Sequence, residues 1–473
     1  MPRTYQLLPI LLAGLLWGCD SKSVETRRPV DPLSVALEEF TENWTKVVWS
    51  QHQNPESSDT YASGKSHYLM GLDTRDGRGV RIILEEKSSY GRPMITPDGE
   101  RIVYSYKDIT RPDGKTKHFE ITIYQVVWDG ANRVKLGDGY AADVWRDPRT
   151  GIDWVYAARQ IQPSQRASLF AEKIVRFQLD DPEKVELVWD RTVVSPDNFQ
   201  LSGDGLRAGG LFPWPTAGAI DFSRGDWMKY GNGCWTSMAP DNSYVSWIFD
   251  GGHRVLNMFS DGGERSWGVD LSVAPGIDGN ELYHPRWSNH VRFLAFTGPY
   301  KKAKPGENKI SKGGVDAEVF LGKFSERLDE LEGSLRLTEN SLGDFYPDLW
   351  IAGGQEAEID GGRLSGGRDD SGVAWPSDSA GLVFLWENRA KKNEVPEAAG
   401  TRICRLEPIG RARYFRDQEM DLGGGSFVAD APSVLALNGA VDGGDFSLEA
   451  LVSPEGEADG PVIDCQAFVL SQR

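Results

Sequence analysis

The stretch His284-Pro-Arg-Trp-Ser-Asn-His290, followed by Val-Arg-Phe-Leu-Ala-Phe-Thr-Gly-Pro-Tyr300, decides the fold of this chain. Ser288 and Asn289 form a polar turn between two short segments. In the second segment every other residue is Phe, Ala or Thr, and this alternation of two sets of side chains is typical of a strand that shows different faces to its two sides. The stretch therefore predicts a strand-turn-strand unit.

The same unit occurs at least twice more along the chain. Cys234-Trp-Thr-Ser-Met-Ala-Pro-Asp-Asn242 stands before Tyr244-Val-Ser-Trp-Ile-Phe249, and Pro93-Met-Ile-Thr-Pro-Asp-Gly99 stands before Arg101-Ile-Val-Tyr-Ser105. A unit that recurs at this spacing indicates a repeat architecture in which each unit is one small sheet.

Five units of four strands begin near residues 91, 139, 196, 231 and 281, and a sixth near residue 343 shows only its first strand, at 345–351. Three further strands are predicted before the first unit, at 44–49, 67–72 and 80–84. One strand at one end and three at the other complete a sixth sheet, which closes the ring and leaves no free sheet edge. The sequence therefore predicts an all-β chain with a six-bladed β-propeller at 44–352. A helical turn is also predicted at 325–332.

The first residues have the pattern of an export signal. Arg3 precedes an apolar run at 7–16, which is too short to span a membrane. The sequence Leu16-Trp17-Gly18-Cys19 resembles a bacterial lipobox, although Trp17 is bulkier than the usual residue there. The resemblance implies a signal peptide at 1–18, lipid on Cys19, a polar tether at 19–43 and a place in the bacterial cell envelope, on the periplasmic or outer-surface side. An ordinary secretory signal with an incidental cysteine is the alternative.

The net charge limits the kind of ligand, and the cysteine count limits the disulfides that can form. The formal net charge of −18 argues against a nucleic-acid ligand, because phosphate binding draws on clustered Lys and Arg. With Cys19 acylated, three cysteines remain: Cys234 is predicted to be a small buried side chain, while Cys404 and Cys465 are close enough in sequence to pair.

The C-terminal part changes character. Residues 353–372 are rich in Gly and Asp and predict a linker. The strand predicted at 381–387, beginning Gly-Leu-Val, and the strand at 445–452, containing Phe-Ser-Leu-Glu-Ala, resemble the first half of a LamG or concanavalin-like jelly roll. Residues 373–473 are therefore expected to form a partial, apparently truncated jelly-roll β-sandwich.

The turn sequences carry a resemblance to one family. Thr96-Pro-Asp-Gly-Glu-Arg-Ile-Val-Tyr104, Ala239-Pro-Asp-Asn242 and Pro285-Arg-Trp-Ser288 resemble the WD40-like repeats of TolB-type propellers. That family includes periplasmic scaffolds and binding proteins as well as propeller lyases, so the resemblance implies the fold more strongly than any activity.

Candidate binding residues follow from the repeat. If 284–287 is an innermost strand, His284 and Arg286 point to one side and Trp287 to the other. Trp235 and Trp287 are interpreted as matching positions, and so are Trp145 and Trp350; such aromatic rings either bind a ligand or pack between blades. The predicted ligand-binding residues are Trp235, His253, His284, Arg286, Trp287 and His290. Several carboxylates are read as turn residues, among them Asp241, Asp250, Asp348 and Asp378.

The expected function is non-catalytic binding of an envelope protein or a carbohydrate through the propeller, without cofactor, resident metal or nucleic acid. Enzyme signatures such as His-Glu-x-x-His, Gly-x-Ser-x-Gly and a phosphate loop are missing. The alternative is a metal-dependent polysaccharide lyase or hydrolase that uses His253, His284 or His290, which requires several such side chains around one ion.

Overall fold

The structure is a computed structural model that describes residues 31–359, except 56–58, 111–117, 164–168, 264 and 302–312, together with short strands after residue 405. The chain divides into two units, Met1–Gly366 and Gly367–Arg473. The predicted signal peptide, the lipidation site Cys19 and the linker from residue 360 lie outside the described residues, and so do Asp378, Cys404 and Cys465.

Six four-stranded antiparallel sheets form the first unit, within the described residues. Blade 6 contains β1 Thr45–His52, β2 His67–Asp73, β3 Arg81–Ser88 and the last strand, β24 Asp344–Ile351. Blade 1 contains β4 Gly91–Ile95, β5 Arg101–Thr110, β6 His118–Val127 and β7 Val134–Asp138. Blade 2 contains β8 Tyr140–Arg146, β9 Asp153–Pro163, β10 Leu169–Gln178 and β11 Asp181–Trp189.

The remaining blades repeat this order. Blade 3 contains β12 Phe199–Leu201, β13 Arg207–Leu211, β14 Thr216–Asp221 and β15 Asp226–Asn232. Blade 4 contains β16 Cys234–Met238, β17 Ser246–Phe249, β18 Val255–Phe259 and β19 Ser266–Asp270. Blade 5 contains β20 Glu281–Trp287, β21 Phe293–Tyr300, β22 Glu318–Phe324 and β23 Leu331–Arg336. Single 3-10 turns occur at Asp261–Gly263 and Gly354–Glu356.

The ring closes as predicted. Strand β24 pairs with β1, and Val47 lies directly opposite Leu349. The innermost strands β4, β8, β12, β16, β20 and β24 contact one another in ring order, so they surround a central channel. The six-bladed propeller is therefore confirmed.

The core lies between neighbouring blades. Trp247 of β17 stacks on Trp287 of β20 with ring centroids 4.2 Å apart, and both rings are buried. This packing joins blade 4 to blade 5 and removes large apolar rings from water, which is the main stabilising term for such a ring.

Two local predictions were wrong. Residues 32–41 fall in the predicted tether but form helix α1, Pro32–Thr41, because Asp31 caps its first turn and Leu37 is fully buried against the propeller. Residues 325–330 form a connection with turns and 331–332 belong to β23, so this segment contains no helix. No helix in the described part of the chain is both long and apolar enough to cross a membrane.

The second unit contributes three antiparallel strand pairs among its described residues. They are β25 Leu406–Ile409 with β28 Ser426–Ala429, β26 Arg413–Tyr414 with β27 Met420–Asp421, and β29 Gly460–Asp464 with β30 Val469–Gln472. The strands predicted at 381–387 and 445–452 lie outside the described residues. The jelly-roll assignment stays a prediction.

Candidate functional site at the channel mouth

The innermost strands of four blades carry a β-bulge at the same place. In each, two residues of the innermost strand lie opposite one residue of its neighbour, and the extra residue bends the strand. The paired residues on either side of the bulge are Gly91 and Met94 in blade 1, Cys234 and Ser237 in blade 4, Tyr283 and Arg286 in blade 5, and Phe345 and Asp348 in blade 6.

Each of these bulges holds a side chain in left-handed backbone conformation. The residues are Arg92 (φ 47°), Trp235 (φ 39°), His284 (φ 55°) and Tyr346 (φ 51°). None is glycine, and such a conformation costs about 1–3 kcal/mol per residue, so the surrounding structure imposes it. Bulges of this kind re-aim side chains next to binding and catalytic sites.

All four left-handed side chains line one cavity, which we call the channel-mouth cavity. It is small, with a volume of ≈ 20 Å³ for the centre of a water-sized group, and it opens in part to solvent. Its lining comes from the beginnings of the innermost strands and the loop before β12, and consists of Arg92, Asp197, Trp235, Thr236, Ser237, His284, Pro285, Arg286, Tyr346 and Pro347.

The floor of the cavity is an ion-pair network that links opposite blades. Arg286 contacts Asp143 of β8 at 2.9 Å and Asp348 of β24 at 2.8 Å. The same carboxylates accept hydrogen bonds from the next blades, at Leu201 N and Ile95 N. Burial raises the pKa of both carboxyl groups, although Arg286 acts in the opposite direction. Asp348 is thus a channel residue, and the prediction that it belongs to a turn was wrong.

Two more cations lie close to the cavity wall. Arg92 is 6% exposed and donates to the carbonyl oxygens of Pro196 and Phe199 at 3.0 and 2.9 Å. Lys107 is 3% exposed, donates to Tyr61 O at 3.0 Å and lies 5.9 Å from the centre of the Tyr346 ring.

Several polar groups of the cavity lining lack a hydrogen-bond partner among the described residues. They are Trp235 Nε1, Thr236 Oγ1, His284 Nε2, Arg286 Nη1 and Tyr346 Oη. Because buried polar groups are almost always hydrogen-bonded in native proteins, a cluster of such atoms around one cavity indicates a place where water or a ligand completes them.

His284 is held in the neutral state. Its Nδ1 lies 3.1 Å from Thr297 Oγ1, and its ring packs 4.2 Å from the Tyr346 ring and 5.5 Å from the Trp235 ring. Burial lowers its pKa to about 3, against a smaller effect of the Thr60 backbone. It therefore contributes a neutral ring at physiological pH.

The remaining predicted site residues are not in the cavity. His253 lies behind Trp235, 6.1 Å from that ring, with its Nδ1 3.3 Å from Tyr283 Oη. Trp287 belongs to the interblade core, and its Nε1 donates to Val291 O. His290 is in the turn at the far end of β20, where its Nδ1 accepts from Arg292 N at 3.1 Å.

The structure consequently brings together Trp235, His284 and Arg286 but not the three candidate metal ligands. Within the described residues no group of three His, Cys, Asp or Glu side chains is placed to hold a metal ion. Cys234 is half-buried, and its Sγ accepts from Trp214 Nε1 at 3.2 Å.

Sequence reasoning missed Arg92, Asp197 and Tyr346. It matched Trp235 with Trp287, whereas the bulges show that Trp235 corresponds to His284. The better guide is the turn that follows each strand. Thr96, Ala239 and Ser288 each donate a backbone N–H across their turn, and the residues four positions earlier are Arg92, Trp235 and His284.

No family model and no curated protein sequence matches this chain. Solved structures do match it. A candidate TolB from Agrobacterium tumefaciens is 12% identical, with 66% of this chain and 95% of that chain covered and a TM-score of 0.38. A candidate 6-phosphogluconolactonase from Bacteroides fragilis is 10% identical, with 65% and 98% covered and a TM-score of 0.34.

An oligogalacturonate lyase in complex with manganese is also similar. It is 14% identical, with 54% of this chain and 60% of that chain covered and a TM-score of 0.29. These neighbours carry different names, and values this low bring the activity of none of them to this chain.

Proposed function

We propose that this protein is a non-catalytic binding protein of the bacterial cell envelope, anchored by lipid at Cys19, and that it holds an envelope protein or a carbohydrate at the channel-mouth cavity. The observation that carries the binding role is the convergence of four left-handed bulge residues on one cavity with unpartnered polar groups. The envelope location rests on the sequence of residues 1–19.

The charged groups of the cavity favour binding over catalysis. A general acid or base works best when its pKa lies near the operating pH. Burial lowers the pKa of Arg92 only to about 10, so it stays protonated, and burial lowers the pKa of His284 to about 3. Asp143 and Asp348 are occupied by Arg286. Asp197 is the remaining carboxylate of the lining, and it accepts from Tyr140 Oη.

A parallel screen tests the proposal. Full-length protein and the Trp235→Ala variant are applied to a glycan array and to a panel of purified envelope proteins. We expect at least one ligand that the wild type binds and Trp235→Ala does not. Tyr230→Phe, which changes an outermost-strand ring stacked on Phe259, is the control and should retain every ligand.

Two results decide against the proposal. If every ligand of the wild type binds Trp235→Ala equally well, the channel-mouth cavity is not the binding site. If a glycan is cleaved, with activity that depends on a divalent metal and is lost in His284→Ala, the lyase or hydrolase alternative is correct.

A further inference from the structure

Arg92 and Lys107 are buried cations whose hydrogen bonds to described residues go to backbone carbonyl oxygens and not to carboxylates. Buried charges are normally paired, because removing a charge from water is costly unless an opposite charge compensates it. Arg286 follows the usual rule, with two carboxylates. Arg92, which lines the channel-mouth cavity, has no such direct ion pair among the described residues, and Asp143 and Asp197 act on it only from a distance.

The two arginines of the lining also repel each other. Burial, followed by the like charge of Arg286, lowers the pKa of Arg92 to about 10, against smaller opposing effects of Tyr140, Asp143 and Asp197. Arg92 is still protonated near neutral pH, so both positive charges persist at the wall of the cavity. A negative group between them would relieve the repulsion, and its effect is large in a site with little water.

The unpartnered atoms of the lining also favour an acceptor. Trp235 Nε1 and Arg286 Nη1 can only donate hydrogen bonds, and the hydroxyls of Thr236 and Tyr346 can donate as well. A group that offers several oxygen acceptors in a small volume satisfies such a ring of donors, and hydrogen bonds to a charged acceptor are about twice as strong as neutral ones.

Building on the proposed function, we propose that the ligand of the channel-mouth cavity presents a small oxyanion, a carboxylate or a phosphate group, to Arg92, Arg286 and the Trp235 indole. Lys107 stands behind Tyr346 and adds to the positive potential. The oxyanion is the end of the ligand that enters the cavity; the rest of the ligand lies outside it.

Asp197 opposes the oxyanion, because its carboxylate lines the same cavity and accepts from Tyr140 Oη. The direction in which a substitution of Asp197 changes ligand affinity therefore tests the proposal. Replacing Asp197 with Asn removes a negative charge from the lining and should strengthen oxyanion binding, whereas a ligand recognised through its hydroxyls alone gains nothing from the change.

The test titrates full-length protein with three probes, glucuronate, inorganic phosphate and glucose, by calorimetry. Glucuronate and glucose differ in one carboxylate. We expect an oxyanion to bind and glucose to bind at least about tenfold more weakly, the loss of one charge-assisted hydrogen bond. Arg92→Gln should weaken oxyanion binding about tenfold or more, and Asp197→Asn should strengthen it several-fold.

Arg292→Gln is the matched control, because Arg292 lies at the turn end of blade 5 and pairs with Glu332. The affinity of this variant for the oxyanion should equal that of the wild type. Binding of glucuronate but not phosphate identifies the carboxylate as the source, and binding of phosphate alone identifies the phosphate. If Arg92→Gln does not fold, Asp197→Asn, at a half-buried position, decides alone.

The inference is overturned if glucose binds as tightly as glucuronate, or if neither oxyanion binds, or if Asp197→Asn leaves oxyanion affinity unchanged. Each of these results leaves the proposed function standing as long as the screen finds a ligand that Trp235→Ala loses. The failure of the oxyanion and the failure of the binding site are therefore distinguishable.

Discussion

The two ends of the innermost strands are built on opposite principles. At the turn end, Trp350 of blade 6 packs on Gly99 of blade 1 and donates to Pro97 O at 3.0 Å, and Trp145 of blade 2 repeats this contact with blade 3. At the mouth end, the innermost strands of blades 1, 4, 5 and 6 carry left-handed residues, and several atoms there are unpartnered polar groups.

This difference separates stability from binding. At the turn end the Trp350 and Trp145 indoles satisfy their donors and fill their contacts, as a structural junction should. The mouth end retains backbone strain and open hydrogen-bonding groups, which proteins keep where a ligand repays them. Substitutions at the two ends should therefore affect different measurements.

The largest loss of stability is expected at Arg286, in the ion-pair network beneath the cavity. Arg286→Met leaves Asp143 and Asp348 buried without their cation, which should lower the free energy of unfolding by about 3–5 kcal/mol. Burial already raises the pKa of both carboxyl groups, so the variant should lose more stability as the pH rises, when these groups must ionise. Urea unfolding at pH 5 and pH 8 measures both effects.

Arg292→Met serves as the control for this variant. Its guanidinium pairs with Glu332, whose side chain is 49% exposed, so the loss should be about 1 kcal/mol or less. Equal losses in the two variants would show that the network beneath the cavity does not hold opposite blades together.

The next largest effect is expected at the turn end. In Gly205→Ala the new Cβ would lie 2.6 Å from the Trp145 ring, and the backbone has φ of +70°. Strain and overpacking together should lower the free energy of unfolding by about 2–4 kcal/mol. Ligand affinity per folded molecule should not change, because the cavity is at the other end of the strands.

Gly151→Ala isolates the backbone part of this cost. Gly151 has φ of +69° and nothing within 4 Å of an added Cβ, so its variant should lose only about 1–2 kcal/mol. A similar loss at both positions would mean that the contact between Trp145 and the turn contributes nothing.

A smaller, pH-dependent effect is expected at Asp344, where β24 begins. Asp344 accepts from Trp49 Nε1 at 2.8 Å and from Gln51 Nε2 at 3.0 Å, both on β1. Burial first, and then the nearby Glu318, raises its pKa to about 7. A raised carboxyl pKa stabilises the fold at low pH, and that stability is lost as the pH rises from the unfolded value, near 4, through the folded one.

Asp344→Asn should remove this part of the pH dependence, which we expect to be about 1–3 kcal/mol between pH 5 and pH 8. The measurement is the free energy of unfolding of wild type and variant across that range. An unchanged slope would assign the pH dependence to other groups.

Most of the propeller was readable from the sequence for a physical reason. Strand alternation and turn chemistry are local, and the turns of blades 1 and 3 show the same bond: Arg101 N donates to Thr96 Oγ1 at 3.0 Å, and Arg207 N to Ser202 Oγ at 3.1 Å. Because strands in groups of four could be counted along the chain, the sequence also predicted that the last strand completes the blade of the first three strands, where Val47 lies opposite Leu349.

Helix α1 and the cavity were harder to predict for different reasons. Asp31, Pro32 and the spaced apolar residues up to Phe40 are a helix signal that the polar surroundings obscured. The left-handed bulges have no such signal, because Arg, Trp, His and Tyr do not prefer that conformation and tertiary packing imposes it.

The smallest stability effect, and the sharpest comparison, is expected at two buried tyrosines. Tyr346 Oη has no partner among the described residues, whereas Tyr90 Oη donates to Glu86 O at 2.5 Å. Removing an unsatisfied hydroxyl changes the unfolding free energy by less than about 0.5 kcal/mol, and removing a bonded one costs about 1 kcal/mol. Urea unfolding should therefore separate Tyr90→Phe from Tyr346→Phe. Ligand affinity should show the reverse order, because only the Tyr346 hydroxyl is at the cavity, and a stability loss at Tyr346 equal to that at Tyr90 would show that the hydroxyl already has a partner in the free protein.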